Sequence, residues 1–243
     1  MQIPDNIYFY GTCLVDLLYP QAGLAAMDLI KKAGVNVIYP KQQSCCGQPA
    51  FNSGYRAEAL QVARQQMTCF PKNIPIVIPS GSCAGMIKHH WPELFAGEKD
   101  QQQANQIASR VFELSEFLVD VLDIKLADLG PPVKIAIHTS CSARREMGVA
   151  DKIDSLIAQL NNVEVIEQKN KAECCGFGGT FAIKQADISG AMVNHKSKNI
   201  LATGAEVLIS EDCGCLTNIG GAIEKQHKSL RVMHLAEFIK ERS

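Results

Sequence analysis

The residues of this 243-residue chain best suited to chemistry are its ten cysteines, and eight of them fall into a repeated pattern. Cys13 stands alone, Cys45-Cys46-Gly47 follows, and Cys83 closes the set; Cys141, Cys174-Cys175-Gly176 and Cys215 repeat it. Thirty-one residues separate Cys13 from Cys45, and thirty-two separate Cys141 from Cys174. Four thiols per half can converge on a metal ion, on a cluster or on one another. A structural zinc site takes four thiolates or imidazoles in a closed tetrahedron, usually from Cys-x2-Cys knuckles, and neither half contains one. Thiol-disulfide exchange needs an attacking thiolate and a neighbour that resolves, which leaves Cys13, Cys83, Cys141 and Cys215 without a part. An iron-sulfur cluster takes one thiolate per iron, so adjacent cysteines suit it and all eight find a use. Cys213 competes with Cys215 for the last position, and Cys69 reads as an ordinary half-buried residue.

Other residues add to these sets. Gly47 and Gly176 permit backbone conformations that let amide N–H groups approach a sulfide, and count as cofactor-binding candidates. His138, Arg144 and Arg145 flank Cys141. Oxidising a 2-hydroxy acid calls for a base and a cation for the carboxylate, which an imidazole and an arginine fork can supply. The run from Gly176 to Phe181 lacks the third glycine of a dinucleotide fingerprint, so no flavin or NAD site is expected. His89, His90, His195, His227 and His234 read as face or core residues.

The elements that must position these residues repeat as well. The apolar segments 7–10 and 133–138 read as buried strands that run into Cys13 and Cys141. Helical spacing follows each, through Leu24, Met27, Leu29 and Ile30, and through Ile153, Leu156, Ile157 and Leu160. Short strands at 35–39 and 163–166 precede the two Cys-Cys-Gly loops. Helices over about 53–67 and 182–201 then lead to third strands at 74–78 and 207–209. The segments 110–118 and 231–239 share five identical positions in nine. The fold expected is α/β, two tandem pseudo-symmetric βαβαβα units with mostly parallel strands and the cysteine loops at the strand carboxyl ends. Leu129-Gly-Pro-Pro132 breaks a long helical pattern, which divides the chain into residues 1–125 and 126–243.

Composition narrows the function. With a formal net charge of −1 and interspersed acids and bases, no basic stripe offers itself to nucleic acid. The N-terminal residues lack the basic and apolar regions of a signal peptide, and no segment approaches the ~18 apolar residues of a membrane span, so a cytoplasmic protein is expected. Ten cysteines in a chain of this size point to metal or redox chemistry rather than to disulfides.

The stretches Cys45-Cys46-Gly-Gln-Pro-Ala-Phe-Asn-Ser-Gly-Tyr55 and Cys174-Cys175-Gly-Phe-Gly-Gly-Thr-Phe181 resemble the cysteine-rich, CCG-domain iron-sulfur proteins. That family includes the cysteine-rich subunit of heterodisulfide reductase, the iron-sulfur subunit of glycolate oxidase and the short two-repeat subunits of bacterial L-lactate dehydrogenase complexes, which are the most similar. The resemblance implies one iron-sulfur cluster per repeat, a 4Fe-4S cluster held by Cys13, Cys45, Cys46 and Cys83, and by Cys141, Cys174, Cys175 and Cys215. Protein handled in air is expected to lose the clusters or to take up zinc. The implied partners are a ferredoxin-type iron-sulfur subunit and a third small subunit, and the implied substrate is L-lactate or a related 2-hydroxy acid. Cys215-Leu-Thr-Asn218 fits the family's Cys-Leu-x-Asn, which favours Cys215 over Cys213. Where heterodisulfide reductase has a fifth cysteine, this chain has Met86 and Asn218, leaving four thiolates per half.

Overall fold

The computed structural model describes residues 2–243. Two four-stranded parallel sheets, one from each half of the chain, carry the architecture. β1 (Asn6–Phe9), β2 (Asn36–Ile38), β3 (Ile76–Ile78) and β4 (Val111–Glu113) form the first, in the order β2-β1-β3-β4. β5 (Val133–Ile137), β6 (Val163–Val165), β7 (Val207–Ser210) and β8 (Arg231–His234) form the second, in the equivalent order β6-β5-β7-β8. The α/β arrangement is thus as expected. The fourth strands lie in the two repeated segments 110–118 and 231–239 and extend each unit beyond the three strands anticipated.

Successive side chains of a strand point to opposite faces, and here they sort into an inner and two outer cores. Ile7, Phe9 and Val77 face inward with Ile135, Ile137, Val207 and Ile209 of the other sheet, in one continuous apolar cluster. Tyr8, Tyr10, Ile76 and Ile78 face an outer core in the first half, and Ala136 and Leu208 face one in the second. The helix Pro20–Lys32 shows how the inner layer is specified. Proline suits its first turn, and Ala22, Ala25, Ala26, Leu29 and Ile30 repeat at helical spacing on its buried face. That face packs against the helix Leu235–Arg242 of the second half. Truncating a large residue in such a core typically costs about 2–5 kcal/mol, so the shared interior ties the two halves firmly together.

The tie brings the carboxyl edges of both sheets into contact. A Cβ on Gly81 would lie 2.6 Å from the Cβ of Ala143, so the helix bearing Cys83 can approach the one following Cys141 only because residue 81 is glycine. Asp212 of the second half accepts hydrogen bonds from the Ser82 amide at 3.0 Å and the Ser80 hydroxyl at 3.2 Å. His234, fully buried, faces the Pro79 carbonyl of one half at 3.1 Å and the Glu211 carbonyl of the other at 3.0 Å. Its Nδ1 accepts from the Ala236 amide at 3.1 Å, so Nε2 carries the proton.

Candidate metal centre

Four short loops deliver the lone cysteines, each within the first turn of a capped helical segment. Cys13 opens the helix Cys13–Leu18, where the Thr12 hydroxyl accepts from the Val15 amide at 3.3 Å. Cys141 holds the equivalent place, with Ser140 accepting from the Ala143 amide at 3.1 Å. Cys83 is the third residue of the helix Gly81–Gly85 after its cap Ser80, and Cys215 the third of Cys213–Lys225 after its cap Asp212. This register matches Cys215 with Cys83 and Cys213 with Gly81.

The side chains agree with the register. Cys46 and Cys83 approach to 3.5 Å between sulfurs, and Cys175 and Cys215 to 3.2 Å. A disulfide would be near 2.05 Å, and all ten cysteines are free thiols. Gly47 and Gly176 sit at φ 89° and 82°, a left-handed conformation that turns their amides back onto the sulfurs of Cys45 and Cys174, each at 3.4 Å. The Phe177 amide reaches the Cys175 sulfur at 3.5 Å.

All eight repeated cysteines, with Cys213, line a single cavity of about 200 Å³ between the halves. Pro49 and Asn52 of one repeat and Gly178 and Gly179 of the other also border it. Crowding the thiols decides which can ionise. Hydrogen bonding from Cys13, and then from Cys46, holds Cys45 down at about 3, while Cys13 and Cys46 are pushed up by donating to it. The bond to Cys174 raises Cys141, and although Cys175 pulls Cys215 down, burial carries it to about 12. Protons therefore bridge these sulfurs. A metal group would displace them, since it binds thiolates.

His138 directly follows β5 and is 1 % exposed. A ring nitrogen lies within 4.8 Å of the sulfurs of Cys175 and Cys215, which are themselves in contact. Neither ring nitrogen has a hydrogen-bond partner. Burial, then Lys196 and Arg144, lower its pKa to about 3. A buried polar group without a partner typically costs about 1–3 kcal/mol, so a neutral imidazole facing two thiols marks a place where something binds. Eight free thiols, amides turned toward sulfur and this imidazole are donors that fit a thiolate-held metal group.

The other two candidates lie elsewhere. Arg144 donates from Nη2 to the Ala172 carbonyl at 2.6 Å, bracing the loop before Cys174, and Arg145 is exposed. Among the described residues, neither they nor His138 line the cavity. Cys69 is a buried thiol in the outer core of the first half.

Several neighbours of the thiols escaped the cysteine pattern. Tyr10 occupies the position of His138, three residues before the lone cysteine, and donates its hydroxyl to the Ser44 carbonyl at 2.7 Å. Gln66 bonds the Ser44 amide at 2.7 Å and its hydroxyl at 2.8 Å. At the matching place Lys196, fully buried, donates to the Lys171 carbonyl at 3.0 Å and the Asn170 carbonyl at 3.4 Å. Trp91 donates to the Cys46 carbonyl at 3.1 Å, and Asn218 does the same for Cys175 at 2.9 Å. Aligning the halves residue by residue pairs Tyr10 with His138; the buried Lys196 has no signal in an amphipathic pattern.

The duplicated frame matches a known family model, the cysteine-rich domain called CCG, over residues 7–88 and again over 135–220. The chain belongs to the CCG cysteine-rich domain family. Two curated relatives run the length of this CCG protein. Lactate utilization protein A of Geobacillus kaustophilus is 42% identical over 241 residues, covering 98% of this chain and 100% of the relative. The protein of the same name from Halalkalibacterium halodurans is 41% identical over 235 residues, covering 96% of each. A solved structure, a hypothetical protein from Helicobacter pylori, superposes with a TM-score of 0.67 at 12% identity. It covers 99% of this chain and 50% of that one, and shows the fold alone. Among the described residues, no helix is long and apolar enough to cross a membrane.

Proposed function

We propose that this chain is an iron-sulfur subunit of an L-lactate-oxidising system, and that it relays electrons rather than handling the hydroxy acid itself. The observation that carries this reading is the convergence of two quartets of free thiols on one cavity. The relatives' name, Lactate utilization protein A, supports the pathway. Cys13, Cys45, Cys46 and Cys83 would hold one group, and Cys141, Cys174, Cys175 and Cys215 the other. Four thiolates suit a 4Fe-4S cluster. Such a group, when bound, supplies one-electron transfer.

Oxidation of L-lactate to pyruvate releases two electrons and two protons, and two one-electron sites in one chain can divide the electron pair. The proton and carboxylate chemistry is assigned to partner subunits. Arg144 is committed to the Ala172 carbonyl and His138 is sealed from solvent, which favours that division of labour. The partners proposed are a ferredoxin-type iron-sulfur subunit and a third small subunit, in the cytoplasm. The chain's own amides at Gly47, Gly176 and Phe177 would stabilise the anionic sulfurs.

Iron and acid-labile sulfide assays on anaerobically reconstituted protein test the cofactor, with about four of each per repeat expected. One zinc per quartet without sulfide would replace the reading by a structural one. Adding L-lactate to the reconstituted three-protein system should then reduce this chain's iron. Iron that stays oxidised there would remove lactate from the account.

A further inference from the structure

We infer that His138 is a ligand of the metal group in the second repeat, giving that repeat a nitrogen ligand which the first lacks. The inference rests on the iron-sulfur reading above and adds a residue outside the cysteine motif. Geometry carries it: a ring nitrogen of His138 lies within 4.8 Å of the Cys175 and Cys215 sulfurs, a separation that one bound metal can bridge. Imidazole nitrogen is a metal donor in its own right, and it replaces cysteine at iron in some two-iron centres.

Satisfaction of the surrounding groups points the same way. In the first repeat the equivalent residue is Tyr10, and its hydroxyl is committed to Ser44 at 2.7 Å. The His138 ring is as deeply buried, yet both of its nitrogens lack partners. Its backbone is fixed, since the His138 amide donates to the Ile209 carbonyl at 2.8 Å. Two other neighbours of the quartet are placed differently. Asn218, at the position of a fifth cysteine, spends its amide on the Cys175 carbonyl. Cys213 sits two residues before the matched Cys215, at the place of Gly81 in the first repeat, and the sulfur–sulfur contact to Cys175 is made by Cys215.

The consequence is a chemical asymmetry within a symmetric frame. A neutral imidazole in place of a thiolate leaves the bound group less negative, and histidine ligation of this kind raises iron-sulfur potentials. The second repeat should therefore be the easier of the two to reduce.

Pulsed EPR on the full chain tests the ligand directly, using protein reconstituted anaerobically, reduced with dithionite and prepared with 14N- or 15N-labelled histidine. A strongly coupled nitrogen that follows the histidine label is expected in the wild type and in Tyr10→Phe. It should vanish in His138→Gln, while His138→Cys should keep its iron and shift the higher potential downward. Bound iron and sulfide with no histidine-derived coupling, or coupling that survives in His138→Gln, would overturn the inference. The wild-type spectrum alone is enough to overturn it, whether or not a variant folds. Wild type that binds no iron in the separate assay sinks the iron-sulfur reading itself, and this inference with it.

Discussion

The two repeats present the same four thiols in different surroundings. Cysteines, helix caps and left-handed glycines correspond pair by pair, down to the 3.4 Å contacts of Gly47 and Gly176 with sulfur. Behind them the chemistry diverges. The first repeat backs its thiols with Tyr10, Gln66 and Trp91, all neutral and all hydrogen-bonded. The second uses His138 and Lys196, with Arg144 alongside. Gln66 and Lys196 hold matching places, each seven residues beyond the helix residue that backs its Cys-Cys-Gly glycine, Ala59 or Ser189. In thiolate-held metal centres the thiolates hold the group, whereas charge and hydrogen bonding around it set its potential. Duplication kept the first set of residues alike and let the second drift apart.

The largest expected effect tests whether there are two sites at all. If each quartet holds its own group, as proposed, Cys46→Ser and Cys175→Ser should each lower the iron of anaerobically reconstituted protein to about half. Loss of all iron from either single variant would mean one group shared across the common cavity. That result would dissolve the comparison between repeats.

A second contrast lies at the ends of β4 and β8, where Glu113 and His234 occupy the same place as helix caps. Burial raises Glu113 to about 8, against an ordinary value of 4.5, even though Ser115 donates to it. Folding therefore favours its protonated form. Its contribution is fully present below about pH 4.5 and is lost as pH rises through about 8. For His234 burial lowers the pKa, so folding favours the neutral ring; that contribution is present above about 6.5 and is lost as pH falls. Urea denaturation across pH 4.5–8 should show Glu113→Gln flattening the alkaline loss only, and His234→Asn flattening the acid loss only. A Glu113→Gln curve parallel to the wild type would sink the assignment.

Much of this was legible in the residues, for reasons that can be named. The duplicated Cys-Cys-Gly motif is local, and the strand-ending cysteines follow short apolar runs whose period is visible, so both the α/β frame and the eight thiols could be read directly. The single cavity could not. It arises because Gly81 lies against Ala143 and Asp212 reaches across to Ser80 and Ser82, contacts more than sixty residues apart that no periodicity records. The fourth strands were half visible, as repeated segments without an assigned structure. Lys196 was hidden for a different reason: a lysine on a helix ordinarily reads as solvated, and only the Asn170 and Lys171 carbonyls make its burial tolerable.

A smaller effect sharpens the electrostatic side of the comparison. Lys196→Met leaves two carbonyls unpaired, and Gln66→Leu leaves the Ser44 amide and hydroxyl unpaired. Each should cost about 1–3 kcal/mol in a denaturant melt. Only Lys196→Met removes a positive charge near Cys175 and Cys215, so only it should lower a reduction potential in redox titration. Equal shifts from both variants would mean that charge behind the second quartet tunes nothing.

The smallest contrast concerns the glycines themselves. Alanine at either position must adopt a left-handed conformation that costs about 1–2 kcal/mol, because both residues have φ above 80°. The helices behind them differ in clearance. A Cβ on Gly47 would meet its nearest neighbour, the Ala59 carbonyl oxygen, at 3.4 Å, an ordinary contact. On Gly176 it would lie 3.0 Å from both the Ser189 carbonyl oxygen and the Met192 Cβ, where the helix Ala186–Leu201 has to give way. Overpacking of this kind adds about 1–3 kcal/mol. Gly176→Ala should therefore melt below Gly47→Ala, and weaken iron binding further, since the Ser189 hydroxyl that holds the Gly176 carbonyl at 2.8 Å moves with that helix. Equal melting temperatures would show that the helix behind the second motif yields freely, and that the two loops differ in charge but not in stiffness.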